Sequence, residues 1–251
     1  MMFKPIFKTR KAHPMSQHTL IAGGSSGIGL ATARRLLAQG HKVTIAARNR
    51  EKLEAARAGL AGDVHALVMD ATDAPSLPGL FAGVGGIDHL VLALGSGKGF
   101  GPFAEMKLAD MRQSFEEKVF AHFAVAQAAL PHLRKDGSLT LVAAVSAQAA
   151  MPGTSGIGAA NAAVEALARI LAAELRPLRV NAVSPGVIDT PWWDFLDTAQ
   201  KDALFADYAA KTPVGRVGRA EDIADTIAFV IGNSFLTAQA IVCDGGLRLP
   251  A

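Results

Sequence analysis

Gly23-Gly24-Ser25-Ser26-Gly27-Ile28-Gly29 is the stretch whose reading decides the fold. It follows a short apolar run, His18–Ala22. It precedes Ile28–Gln39, where Leu30, Ala33, Leu36 and Leu37 share one helical face until Gly40 stops the helix. Strand, G-x-x-x-G-x-G turn and helix, in that order, let the backbone bend sharply and approach a pyrophosphate. The same order aims the free N–H groups of the helix start at the negative charge. Glycines alone would say little, since any flexible loop reads the same way. The flanking strand and helix give the motif its meaning.

Outward from this turn, apolar runs keep alternating with helical periodicity. The pattern predicts strands at Lys42–Ala47, Val64–Met69, Ile87–Leu94, Ser138–Val145, Val180–Ser184 and Gln239–Cys243. It predicts helices at Arg50–Gly59, Ala74–Ala82, Leu108–Leu133, Thr154–Leu175 and Ala220–Ile231. From about Val187 to Val214 no clean period shows, and Trp192, Trp193, Phe195, Phe205 and Tyr208 gather there. No linker, internal repeat or low-complexity tract intervenes. The predicted fold is α/β: a Rossmann-type, doubly wound, mostly parallel sheet with helices on both faces, in a single domain over residues 17–251.

The composition agrees: half of the 251 residues are apolar and 19% are charged, which is globular. The net charge of +3 misleads, because Lys4, Lys8, Arg10 and Lys11 crowd the first eleven residues and no acid precedes Glu51. The remainder of the chain is nearly neutral, which excludes an electrostatic footprint for nucleic acid. Residues 1–16 read as a basic, disordered extension with Met15 as an alternative start. They lack the apolar core of a signal peptide, and no later segment reaches about eighteen uninterrupted apolar residues, so no membrane association is expected. A lone Cys243, set in the apolar run AIVCD, reads as a buried structural thiol in a reducing compartment, by default the cytoplasm. The seven histidines show no metal-ligand spacing, so no metal is expected.

From about residue 17 to 249 the chain resembles the short-chain dehydrogenases/reductases. The likeness rests on Gly23, Gly27 and Gly29, on Asp70 after the third strand, on Asn181 with Pro185-Gly186 and Thr190, and on Asp244-Gly245-Gly246. The resemblance implies a nicotinamide dinucleotide held by Gly23, Ser25, Ser26, Gly27, Ile28, Gly29, Asp70, Ala71, Leu94, Gly95, Pro185, Gly186, Ile188 and Thr190. It also implies a small-molecule substrate and a homo-oligomer, a tetramer or dimer. A carboxylate at the end of the second strand would bind the ribose diol of NAD and repel a 2′-phosphate. The sequence there is Ala46-Ala47-Arg48-Asn49-Arg50, and Arg48, with Asn49 beside it, suits phosphate, so NADP(H) is the expected cofactor.

The catalytic pattern is altered. The family's main branch uses an Asn, a Ser, a Tyr and a Lys, the Tyr serving as proton donor or acceptor. The corresponding positions here are Lys118, Ala144, Ile157 and Asn161, and the Asn-Asn-Ala-Gly after the fourth strand has become Leu92-Ala93-Leu94-Gly95. The only tyrosine, Tyr208, lies in the aperiodic region, so no shift of register restores a Tyr-x-x-x-Lys. Lys and Asn have exchanged places, which makes Lys118 and Asn161 the candidate catalytic pair, with Lys118 also a candidate cofactor ligand. Helical phase leaves Lys118 ambiguous, because Phe115, Val119 and Phe123 read as the apolar face. His122, one turn on, reads as a packed or exposed histidine. Two functions remain open: hydride transfer to a small apolar carbonyl, enone or imine by a non-standard site, or non-catalytic NADP(H) binding in a sensor or partner-binding module. An inactive subunit paired with an active homologue is a third.

Overall fold

The structure, a computed structural model, describes residues 16–249, so all but the last residue of the expected 1–16 extension lies outside the described residues. Along the chain run β1 (His18–Ala22), α1 (Gly27–Ala38), β2 (Lys42–Ala47), α2 (Arg50–Ala58), β3 (Val64–Val68), α3 (Leu77–Ala82) and β4 (Ile87–Leu92). Next come α4 (Leu108–Phe115), α5 (Ala121–Ala129), β5 (Leu133–Val142), α6 (Ser155–Glu174) and β6 (Arg179–Pro185). The chain closes with β7 (Ile188–Asp189), α7 (Thr198–Lys211), β8 (Gly218–Arg219), α8 (Ala220–Gly232) and β9 (Ala240–Cys243).

Seven strands form one sheet in the order β3-β2-β1-β4-β5-β6-β9, parallel throughout. Strand side chains alternate faces, and both faces are buried, which is why the strands read as unbroken apolar runs. Leu20 and Ala22 of β1 enter one core with Phe81 of α3, Val125 of α5 and Val164 of α6. Ile21 between them enters the other, with Leu36 of α1, Leu53 of α2 and Ile223 of α8. The chain runs outward from β1 to β3 and then returns to β4 beside β1. Such a reversal opens a crevice at the carboxyl ends of these two strands. Helix α6 is long and apolar enough to cross a bilayer by length and composition, yet it is a core helix with half of that span buried.

Three differences from the sequence expectations matter for the site. The expected helix Leu108–Leu133 is interrupted by a π turn at Glu116–Phe120 and ends in a 3-10 turn at Leu130–His132 around Pro131. The buried face is Ser114, Lys118, Ala121, His122 and Val125, whereas Phe120 and Phe123 are exposed, so the apolar face expected at Phe115, Val119 and Phe123 is not the one that packs. Strands β4 and β5 stop at Leu92 and Val142, short of Leu94 and Val145, because the next residues leave the sheet to line the crevice. The aperiodic region contains α7, opened by a capping box in which Asp197 and Gln200 satisfy each other's backbone N–H groups. None of its side chains is fully buried, which is why no apolar stripe marked it.

Candidate active site

The crevice is a cavity of about 770 Å³, lined by all of the expected cofactor and catalytic residues, Gly23, Ser25, Ser26, Gly27, Ile28, Gly29, Arg48, Asn49, Asp70, Ala71, Leu94, Gly95, Lys118, Asn161, Pro185, Gly186, Ile188 and Thr190, whereas Asn181 and Asp244-Gly245-Gly246, which carry the family likeness, do not line it. At its centre the turn before α1 makes a cradle that only glycine can form. Gly23 takes φ +83°, and a Cβ there would strike the Ala93 carbonyl; one on Gly29 would strike the Gly23 carbonyl. The first intrahelical bond of α1 is Leu30 N–H to Ser26 carbonyl (3.1 Å), and the Ser26 side chain caps no backbone group. The N–H groups of the first turn are therefore free of helical partners and suit an anion.

One end of the cleft carries positive charge. Arg48 is exposed at its rim, and Lys52, one turn into α2, lines it as a second cation that sequence reading missed. Asn49 is committed structurally: its Oδ1 accepts the Lys52 N–H (2.8 Å) as the N-cap of α2. Asp70 Oδ1 accepts from the Thr72 N–H (2.9 Å) and hydroxyl (2.7 Å). These bonds, with Arg48 contributing less, hold its carboxyl below the usual carboxylate range. A glycine cradle, a free helix start and two cations without a carboxylate at the end of β2 fit a dinucleotide that carries an extra phosphate.

The floor of the cleft holds the exchanged pair. Lys118 is buried, and its Nζ donates to the carbonyls of Leu94 and Val142, both at 2.8 Å. An ammonium has three N–H groups, so one remains for a ligand. Burial pushes Lys118 down to about 7. Asn161 donates to Ser146 Oγ (3.1 Å), while its Oδ1, buried in the cleft wall, has no partner among the described residues. Which end of the amide faces Ser146 is assigned from hydrogen bonding, and either way one polar end is left open. His122 is fully buried beneath, with Nδ1 2.6 Å from the Lys118 carbonyl and Nε2 3.1 Å from that of Leu92. A neutral ring donates to only one of them, and the shorter contact marks Nδ1 as donor. Burial and then Lys118 push His122 down to about 3, which makes it a packed neutral histidine that supports the π turn.

The other end is apolar. Ile157 and Ala144, expected from the sequence at the family's Tyr and Ser positions, both line the cleft. Trp192 packs against Phe100 (centroids 5.4 Å) and edge-on to Trp193 (4.7 Å), with its Nε1 donating to the Ser96 carbonyl (3.0 Å). Met151 and Tyr208 complete this wall. Phe100, Met151, Ser96 and Glu117 gave no sequence signal, because the chain brings them in from loops and from the π turn. Cys243, expected to be buried, is only partly so, on the edge strand β9.

A family model described as Enoyl-(Acyl carrier protein) reductase matches residues 22–248. A protein assigned as ketoacyl reductase 2 of the granaticin polyketide synthase of Streptomyces violaceoruber is 33% identical over 250 residues, covering 94% of this chain and 98% of its own. The 3-oxoacyl-[acyl-carrier-protein] reductase FabG of Thermotoga maritima is 32% identical over 242 residues, covering 91% and 96%. Among solved structures, a small-chain dehydrogenase in complex with NADPH superposes with a TM-score of 0.83 at 30% identity, over 94% of this chain and all of the other (100%).

Proposed function

This chain belongs to the short-chain dehydrogenase/reductase family, and we propose that it is an NADPH-dependent reductase that transfers hydride to a small, apolar acceptor without a tyrosine. One observation carries the reading. Lys118 is buried with no acidic partner among the described residues, an arrangement that costs stability through desolvation and adds nothing to packing that a Met would not. It lines the same cleft as the open Oδ1 of Asn161, with one N–H to spare. A perturbed amine and an unsatisfied amide converging in a cleft mark a working site.

NADPH supplies a hydride when bound. The glycine cradle and the start of α1 hold its pyrophosphate, while Arg48 and Lys52 hold the 2′-phosphate. Lys118 donates to the nicotinamide ribose and Asn161 accepts from it, the two sharing from opposite sides the work one lysine does in the family's main branch. Trp192 and Phe100 cover the substrate and keep water out. With Ile157 and Ala144 offering no proton, it comes from Lys118 or water, or the acceptor is one whose reduction needs none. The protein works as a homo-oligomer, using the exposed aromatic face of α5.

Calorimetric titration tests the cofactor assignment. NADPH should bind more tightly than NADH, and Arg48→Ala should weaken NADPH while leaving NADH nearly unchanged. Equal affinities for the two cofactors would remove the assignment. NADPH bound tightly, with no carbonyl, enone or imine consumed, would favour a non-catalytic binding module instead.

A further inference from the structure

The class of substrate can be taken further, resting on the reductase reading, from a carboxylate in the cleft. Glu117, in the π turn beside Lys118, is partly buried and lines the cleft. Its Oε2 accepts from Ser96 Oγ (2.7 Å) and its Oε1 from Gln113 Nε2 (2.8 Å). Both donors are neutral. None of the ion pairs found among the described residues includes Glu117. Ser96 connects this carboxylate to the aromatic wall, since its carbonyl accepts Trp192 Nε1 at 3.0 Å and Trp192 packs on Phe100. A carboxylate with only neutral partners, joined through Ser96 to Trp192 in the aromatic wall of the same cleft, is suited to an organic cation, which ring quadrupoles also attract. It gives nothing to a neutral ketone and repels an anion.

The absence of the Tyr and Ser points the same way. Hydride addition to a ketone leaves an alkoxide that Ile157 and Ala144 cannot protonate or stabilise, so its proton would have to come from Lys118, two of whose N–H groups are already committed. Hydride addition to a C=N⁺ group cancels a charge already present.

We infer that this end of the cleft takes a cyclic iminium ion with Glu117 as its counter-charge, and that the reaction is reduction of that ion to the amine. With a dihydronicotinamide as reductant, the hydride forms the new C–H bond and the C=N π pair becomes the nitrogen lone pair. The reductant is left as the oxidised nicotinamidium, and no proton moves. Lys118 opposes the cation less than an ordinary ammonium would, since burial brings it down to about 7 and its free base is well populated at and above that pH.

Two measurements on the full chain test this. Binding is read without turnover, from the fluorescence of the two tryptophans, both in this wall. In the NADP⁺-loaded protein, benzyltrimethylammonium should bind at least about tenfold more tightly than its neutral isostere neopentylbenzene. Glu117→Gln should abolish that preference while circular dichroism stays that of the parent. Turnover is read from NADPH absorbance: N-methyl-3,4-dihydroisoquinolinium should be consumed, with kcat/KM at least about tenfold above 1-tetralone and cyclohexenone. Glu117→Gln should raise KM for the iminium with a smaller change in kcat. A preference for 1-tetralone or cyclohexenone, or a cation preference that survives Glu117→Gln, overturns the inference and leaves the reductase reading standing. A Glu117-dependent cation site with no acceptor reduced keeps the binding half and overturns the reductase. The absence of both cation preference and iminium turnover overturns the inference outright.

Discussion

At the scale of single residues, the site turns on Lys118. Lys118→Met keeps length and bulk and removes the charge. Measured near pH 6, it should weaken NADPH binding by about 1.5–3 kcal/mol, the range of a hydrogen bond to a charged group. Burial holds the amine near 7, so the charged donor is present below that pH and lost above it. NADPH affinity of the parent protein should therefore fall between pH 6 and pH 9, and that of the variant should stay flat over the same interval. Titration by calorimetry at the two pH values checks both; a flat parent profile would place Lys118 away from the cofactor. Much of this was legible. The glycines of the cradle and the missing acid after Ala47 could be read directly, because their meaning lies in local spacing. The orientation of Lys118 could not, because a regular helix through 108–133 puts it at the border of the apolar face. The structure decides it with one π turn.

Among the elements, strand runs and helix periods located β1 through β6 and β9 because a parallel sheet buried on both sides leaves a strong apolar signal. Helix α7 escaped for the opposite reason, packing no residue fully; only its capping box, Asp197 with Gln200, was there to be read. The amino-terminal edge of the sheet holds a feature with a pH consequence. His18 of β1 and His89 of β4 are buried, and His41, before β2, stands 5.9 Å from His89, centroid to centroid. Burial lowers all three, His89 to about 4, and the Nε2 of His89 has no partner. A histidine whose folded pKa lies below its unfolded value costs nothing above about pH 6.5. As pH falls, the unfolded chain binds protons that the folded one refuses. Stability should thus decline from pH 6.5 toward 4, before most carboxylates titrate. Urea midpoints at pH 7.5 and 5.0 measure it, and His89→Asn should shrink the difference; equal midpoints would show that the cluster accepts protons freely.

For the whole molecule, the exposed side chains are the informative ones. Phe120 and Phe123 on one face of α5 and its preceding turn, with Phe103 and Leu108 just upstream, are between 48% and 82% exposed. Aromatic side chains grouped in this way are costly on an isolated chain and suit a second copy. Light scattering on a sizing column should give a multiple of the 26.1 kDa chain at micromolar concentration. Phe120→Glu with Phe123→Glu should lower that mass without unfolding the protein, and a single-chain mass for the parent would reject the assembly. The sequence pointed to an oligomer through family resemblance and through apolar residues on more than one side of the two long helices, but not to these phenylalanines, since an exposed and a buried phenylalanine look alike until the phase of the helix is known.

The buried amine has a further consequence, in covalent chemistry. Acylating reagents attack the free base of a lysine. An ordinary lysine near pH 7 holds only on the order of one part in a thousand in that form, whereas a group titrating about 7 holds roughly half. A limiting amount of a small acyl donor at pH 7 should therefore mark Lys118 ahead of exposed lysines such as Lys107 and Lys135. Peptide mass spectrometry would read the order of labelling, and saturating NADPH should suppress it at that one position. The cleft would then be a handle for site-selective labelling of the protein.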